Sequence, residues 1–275
     1  MCPGGISGSP PAPNGSPRSA LTTAAVLLTV GSAATDVACF TRLGSVFASV
    51  MTSNIVFLGL SAAQHSGALA ERASISVAAY AIGVAAASRL ARTGHRAAQA
   101  ASRCGPAISG GTGGAEGSGG PGASGATPWS RWITASLVTE ILVLAVFTAG
   151  WEITDAKPEG GPQLILLALA ALAMGMQSAV VAVMGLGGVS TTYLTGTLTT
   201  LIDSLASARP RQEGNGRRVA TVCALAAGAG LSGLLLATVP AAVPAVPLVM
   251  LVGVIGTGLL WLRPRSHPAH EQDMP

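Results

Sequence analysis

The apolar blocks of this chain are too long and too uniform for a soluble core. Runs at 20–40, 43–63, 73–88, 132–151, 164–184, 189–206, 219–239 and 241–262 contain three acidic residues, Asp36, Glu140 and Asp203, and no basic one. About 20 apolar residues cross the bilayer core as a helix, and several of these runs reach that length. Composition agrees: 49% of the 275 residues are apolar, 9% are charged, and the mean hydropathy is +0.57. Soluble domains carry about a quarter charged residues. The expected fold is an all-α polytopic membrane bundle, with the lipid bilayer as its first partner.

The remaining segments carry little chemistry. Residues 1–19 lack the basic start and apolar middle of a cleaved signal and read as a disordered tail. Residues 104–127 form a Gly/Ser-rich linker without the Gly-Lys-Ser/Thr of a phosphate loop, so it reads as a flexible tether. Residues 263–275 read as a second tail. The membrane domain therefore spans 20–262, divided into units at 20–151 and 163–262. Four scattered cysteines offer neither a zinc spacing nor a disulfide framework. The net charge of +4 is dispersed over loops and is no footprint for nucleic acid.

Those loop arginines orient the chain, because short cytoplasmic loops are enriched in Lys and Arg. Arg89, Arg92, Arg96, Arg103 and Arg131 place the linker inside. Glu152, Asp155 and Glu159 against Lys157 place 152–162 outside. Arg209, Arg211, Arg217 and Arg218 mark another inside loop, and Arg263 with Arg265 an inside C-terminus. Arg18 places the N-terminus inside as well. Two apolar blocks, 164–184 and 189–206, then lie where only an odd number of crossings fits, and 20–40 with 43–63 pose the same problem. One block of each pair must dip in and return, or the pair must form one broken helix. The count is about six spans with two irregular regions, in a bacterial inner membrane, both termini cytoplasmic.

The irregular regions resemble each other. A shift of 143 residues lays "RLGSVFASVMTSNIVFLGLSAA" over "GLGGVSTTYLTGTLTTLIDSLA" without a gap, matching Leu43 with Leu186, Thr52 with Thr195 and Ser61 with Ser204. The charge pattern turns the second unit upside down, which gives a 3+3 inverted repeat with broken or re-entrant segments at 43–63 and 189–206. Such a pairing is the best sequence pointer to a transporter site. Thr52–Ser53–Asn54 and Thr195–Gly196–Thr197 are expected at the breaks, where Gly196 would permit a positive φ or a close helix approach. Their polar groups would satisfy freed carbonyls, coordinate a solute, or join helices without any transport role.

"TDVACF", "MTSNIVFLGLS", "AMGMQSA" and "TTYLTGTLTTL", in this order, resemble the YoaK-like family of bacterial membrane proteins, defined by a domain of unknown function. The resemblance covers roughly 20–262. It implies an integral membrane protein of about six spans, without an established activity. It puts the family's marked positions on Asp36, Thr52, Asn54, Gln177, Thr192, Thr195, Gly196 and Thr197. This chain departs at Ser53, where the family has glycine, and at Ser178, where asparagine is common.

Glu140 lies about 15 Å from either end of its block at 1.5 Å per residue. A charge there costs at least ~2.5 kcal/mol, so Glu140 is expected to face the bundle as a protonatable group, or to hydrogen-bond a neighbouring helix. Asp36 and Asp203 lie late in their blocks and could reach the interface. Gly228, Gly230, Gly253 and Gly256 are expected at close helix contacts. Two function classes follow. One is a small-solute secondary transporter or permease, open to proton coupling, with Asp36, Glu140 and the Thr motifs at a central site. The other is a scaffold or partner subunit. No His cluster, nucleophile elbow or metal spacing suggests an enzyme or a cofactor, and the oligomeric state, including a homo-oligomer, stays open.

Overall fold

The computed structural model describes residues 17–103, 131–184, 194–206 and 215–261. Eight α-helices follow in order: α1 (Pro17–Arg42), α2 (Met51–Ala63), α3 (Gly67–Arg103), α4 (Arg131–Ile153), α5 (Gly161–Val183), α6 (Leu194–Ala206), α7 (Asn215–Thr238) and α8 (Ala245–Trp261). No strand occurs among the described residues. Six of the helices are long and apolar enough to cross a membrane: α1, α3, α4, α5, α7 and α8, the last together with the 3-10 turn Pro240–Ala242 before it. Helices suit such sequences because hydrocarbon offers no partner for a free N–H or C=O. Large apolar side chains point outward as well as inward, among them Ile82, Leu142, Ile165, Leu234 and Val249. The internal core is built around Trp151, Phe147, Leu144, Leu167 and Met174.

Side-chain contacts fix the direction of each span. Gln163, at the start of α5, donates to Arg42 O at the end of α1 (3.1 Å), and Arg72, early in α3, donates to Gln163 Oε1 (3.4 Å). The end of α1 therefore meets the beginnings of α3 and α5. Trp151, late in α4, donates to Pro240 O just past α7 (3.0 Å), and Gly150 abuts Leu166 near the start of α5. Consequently α1, α4 and α7 run one way, and α3, α5 and α8 run the other. The start of α1, the end of α8 and both edges of the 104–130 segment share the second end of the bundle.

The arrangement is an inverted repeat. α1, α2, α3 and α4 correspond to α5, α6, α7 and α8, each span reversed in direction. Exchanging the units maps the main packing onto itself: α3 on α5 becomes α7 on α1, α1 on α8 becomes α5 on α4, and α2 on α3 becomes α6 on α7. α2 and α6 are each 13 residues long, starting at 51 and 194, an offset of 143. One close crossing has a counterpart under the same exchange. A Cβ on Gly83 of α3 would strike Leu172 O of α5, and one on Gly228 of α7 would strike Val30 O of α1. Small residues at such crossings let two backbones touch.

Three sequence expectations are revised in detail. Thr52–Ser53–Asn54 does not form the break; it is the first turn of α2, and the irregular backbone is 43–50 just before it. α1 stops because Gly44 (φ 103°) takes a left-handed conformation that lets Ser45 N–H reach back to Phe40 O (3.2 Å). α3 continues to Arg103, well beyond 88, because its Ala- and Arg-rich end remains a good helix former even where it is no longer apolar. Gly196 sits within α6 with open space at its Cβ position, as do Gly230 and Gly256 in their own helices. Of the glycines expected at close contacts, Gly228 makes one against the α1 backbone and Gly253 a looser one against Leu27, while the other backbone approaches are at Gly83 and Gly175.

Candidate functional site

The segment 43–50 descends into the bundle, and three side chains hold it there. Asp36 of α1 accepts the N–H groups of Ala48 (2.9 Å) and Ser49 (2.8 Å) on Oδ1, and the Ser49 hydroxyl on Oδ2. Asn54 of α2 grips Phe47 at both polar atoms: Phe47 N–H donates to Oδ1 (3.0 Å), and Nδ2 donates to Phe47 O (2.7 Å). Nδ2 also donates to Ser76 Oγ of α3 (2.9 Å), which donates to Phe47 O (2.6 Å). Asp36 lies six residues before the end of α1, about 9 Å down, and Ser76 nine residues into α3, about 13 Å down. α2, about 20 Å long at 1.5 Å per residue, then climbs back to the end from which α3 departs. Residues 43–63 are therefore a re-entrant loop and half-helix. Its irregular backbone is held by side-chain hydrogen bonds, the condition for such structure at this depth.

Beside this loop is a cavity of about 520 Å³. Ala33, Asp36, Val37, Phe40 and Thr41 of α1 form one wall, Phe47 and Val50 of the loop another. Leu198 of α6 and Val222, Leu225 and Ala229 of α7 complete it. Phe40 stacks on Phe47 (centroids 5.1 Å apart), which stacks on Phe57 (6.3 Å). The cavity joins the two units. Val50, immediately before α2, and Leu198 of α6 both line it. Its lining is apolar apart from the Asp36 carboxylate and the Thr41 hydroxyl, the pattern of a small-molecule pocket.

Glu140 is elsewhere. It is 1% exposed on the inner face of α4, and neither carboxylate oxygen has a hydrogen-bond partner; Ser136 Oγ, one turn earlier on the same face, has none either. α4 packs on α5, α8 and α3, and Glu140 is not among the residues lining the cavity.

Residues 24–257 match the family described as "Protein of unknown function (DUF1275)". The chain belongs to the DUF1275 family. No curated protein and no solved structure matches it. The YoaK-like resemblance fits this family, whose match reaches into all six membrane helices of this DUF1275 member.

The sequence-derived positions of this DUF1275 chain occupy three kinds of place. Asp36 and Asn54 meet at the re-entrant loop. Gln177 of α5 donates to Leu28 O of α1 (3.1 Å) and so joins the units. Thr197 is buried in the first turn of α6. Thr52 and Gly196 are exposed. Thr192 and the side chain of Thr195 lie outside the described residues. Among the described residues no cluster of three or more His, Cys, Asp or Glu could hold a metal. Sequence reasoning missed Ser49 and Ser76, which complete the loop's bonding, and Ser232, which donates to Ala34 O across the units (3.0 Å). A lone serine in an Ala-rich helix carries no signal until its neighbour is known.

Proposed function

We propose that this protein is a permease for a small solute, which enters the cavity between α1, the re-entrant loop, α6 and α7. The cavity carries the reading. Its volume lies within the roughly 300–1,000 Å³ range of ligand sites, and residues from both halves of an inverted repeat bound it, as in secondary transporters. The protein acts without a covalent step on the solute, in the bacterial cytoplasmic membrane. The arginine-rich second end of the bundle is the cytoplasmic one, so both termini are cytoplasmic.

The test begins with thermal-shift screening of the purified protein against amino acids, organic cations, carboxylates and sugars. Solutes that raise the melting temperature are followed into proteoliposomes. Ala229→Trp fills the cavity without touching the loop's hydrogen bonds, and it should abolish both binding and uptake. A wild type that neither binds nor moves any member of the panel, or a Trp variant that transports normally, removes the proposal. One observation favours the second reading, a scaffold or partner subunit. Asp36 and Asn54 spend their bonds on the protein's own backbone. That reading predicts a partner co-purifying with the wild type and no solute flux.

A further inference from the structure

Among the described residues, the buried side-chain oxygens without a hydrogen-bond partner all belong to Glu140 and Ser136. The polar side chains of the re-entrant loop, with Gln177 and Ser232, hold backbone or join helices, whereas three buried oxygen atoms here have no partner. They lie four residues apart, hence on one face of α4. The chain accepts the cost of burying a carboxyl in this position, at least ~2.5 kcal/mol when charged, without any hydrogen bond in return. An apolar residue of similar size would pack at no such cost.

The surroundings narrow what the group can hold. α5 and α8, which cover α4, carry no titratable residue along their length. On α3, Tyr80 is half-buried at mid-helix. Glu71 and Arg72 lie toward the first end, and Arg89, Arg92, His95, Arg96 and Arg103 toward the second. Arg72 is bonded to Gln163. No basic side chain on the covering helices α5 and α8 can neutralise Glu140. A bare divalent cation requires about six oxygens, and this site offers two carboxylate oxygens and one hydroxyl. The ligand that fits is the smallest cation. One carboxyl oxygen forms an O–H bond with a proton from hydronium, which leaves as water, and the carboxyl becomes neutral.

We infer that Glu140, on the same inner face of α4 as the unpartnered Ser136, is a proton-binding site separate from the solute cavity. The site stands on its own; its role as the coupling group rests on the permease reading. Coupling is indirect: α4 contacts α8, and α8 contacts α1, which carries Asp36.

Two measurements on the full-length protein in liposomes test the site without any solute. Infrared spectra recorded across a pH titration should show a carboxylic C=O band that is absent in Glu140→Gln. In Ser136→Ala the band should persist, because Ser136 makes no hydrogen bond to Glu140; its loss would overturn the assignment to Glu140 alone. Dicyclohexylcarbodiimide, which adds to a protonated carboxyl in apolar surroundings, should label Glu140 equally in sodium and choline chloride. Protection by sodium would assign the site to a metal ion instead. A spectrum in which Glu140→Gln removes no titrating band overturns the inference. Should the cavity prove to carry a solute, uptake by Glu140→Gln should lose its pH dependence while binding persists. Absence of any transported solute leaves the infrared result to decide the proton site alone.

Discussion

Asp36 and Glu140 are both carboxylates buried in membrane-spanning helices, and the chain uses them in opposite ways. Asp36 takes three hydrogen bonds and fixes the loop that separates α1 from α2. Glu140 takes none. Depth and residue type are therefore poor guides to role inside a bilayer. What distinguishes the two is whether irregular backbone passes within reach. Asp36 stands beside the descending loop, whose peptide groups have no water to turn to. Glu140 stands among regular helices whose peptide groups are already paired, so its oxygens remain free for something that arrives and leaves.

Mutations can break this contrast. The largest effect is expected at Asp36. Asp36→Ala strands two peptide N–H groups and a hydroxyl, each worth about 1–3 kcal/mol when buried without a partner. A loss of at least about 3 kcal/mol should appear as collapse of the folded fraction in detergent. Near-normal melting of this variant would mean the loop does not depend on Asp36. Glu140→Met should act with the opposite sign, raising stability by about 1–2 kcal/mol because it replaces orphaned oxygens with packing atoms. A fall in melting temperature would show that Glu140 has structural partners after all.

Asn54 and Ser76 sharpen the comparison from the loop's other side. Each single alanine variant should cost about 1–2 kcal/mol, and a double-mutant cycle should give a coupling of at least about 0.5 kcal/mol, since both bond Phe47 O and each other. Additive losses would dissolve the proposed clamp. The smallest effect belongs to Thr52, whose side chain is exposed. Thr52→Val should shift stability by less than about 0.5 kcal/mol.

Much of the architecture was legible in the residues. Arginine placement and apolar block length yielded six spans and their alternating directions. The parity conflict at 43–63 located the irregular segment before α2, while residues 189–193 of its counterpart lie outside the described residues. The details escaped for physical reasons. Polar side chains suggested that the chain breaks at Thr52–Ser53–Asn54, yet Asn54 acts from inside a helix on backbone seven residues earlier. Glycine spacing could not say which glycines touch a neighbour, since Gly83 and Gly230 differ only in what lies opposite. The candidate site was half legible. Asp36 and Asn54 came from motif resemblance, whereas Ser49 and Ser76 needed the fold that brings them to the same three residues of loop.

The matched crossings at Gly83 and Gly228 have a mechanical consequence. Each is a pivot where two helices touch backbone to backbone, and the exchange of units carries one pivot into the other. Suppose unit one tilts about its pivot by some angle and unit two by another. Trading the two angles produces a second shape, built from the same kinds of contact and turned end over end. The two shapes differ in energy only as far as the halves differ in sequence. Residues that are not duplicated, such as Asn54 opposite Thr197 at the offset of 143, would then set which shape is preferred.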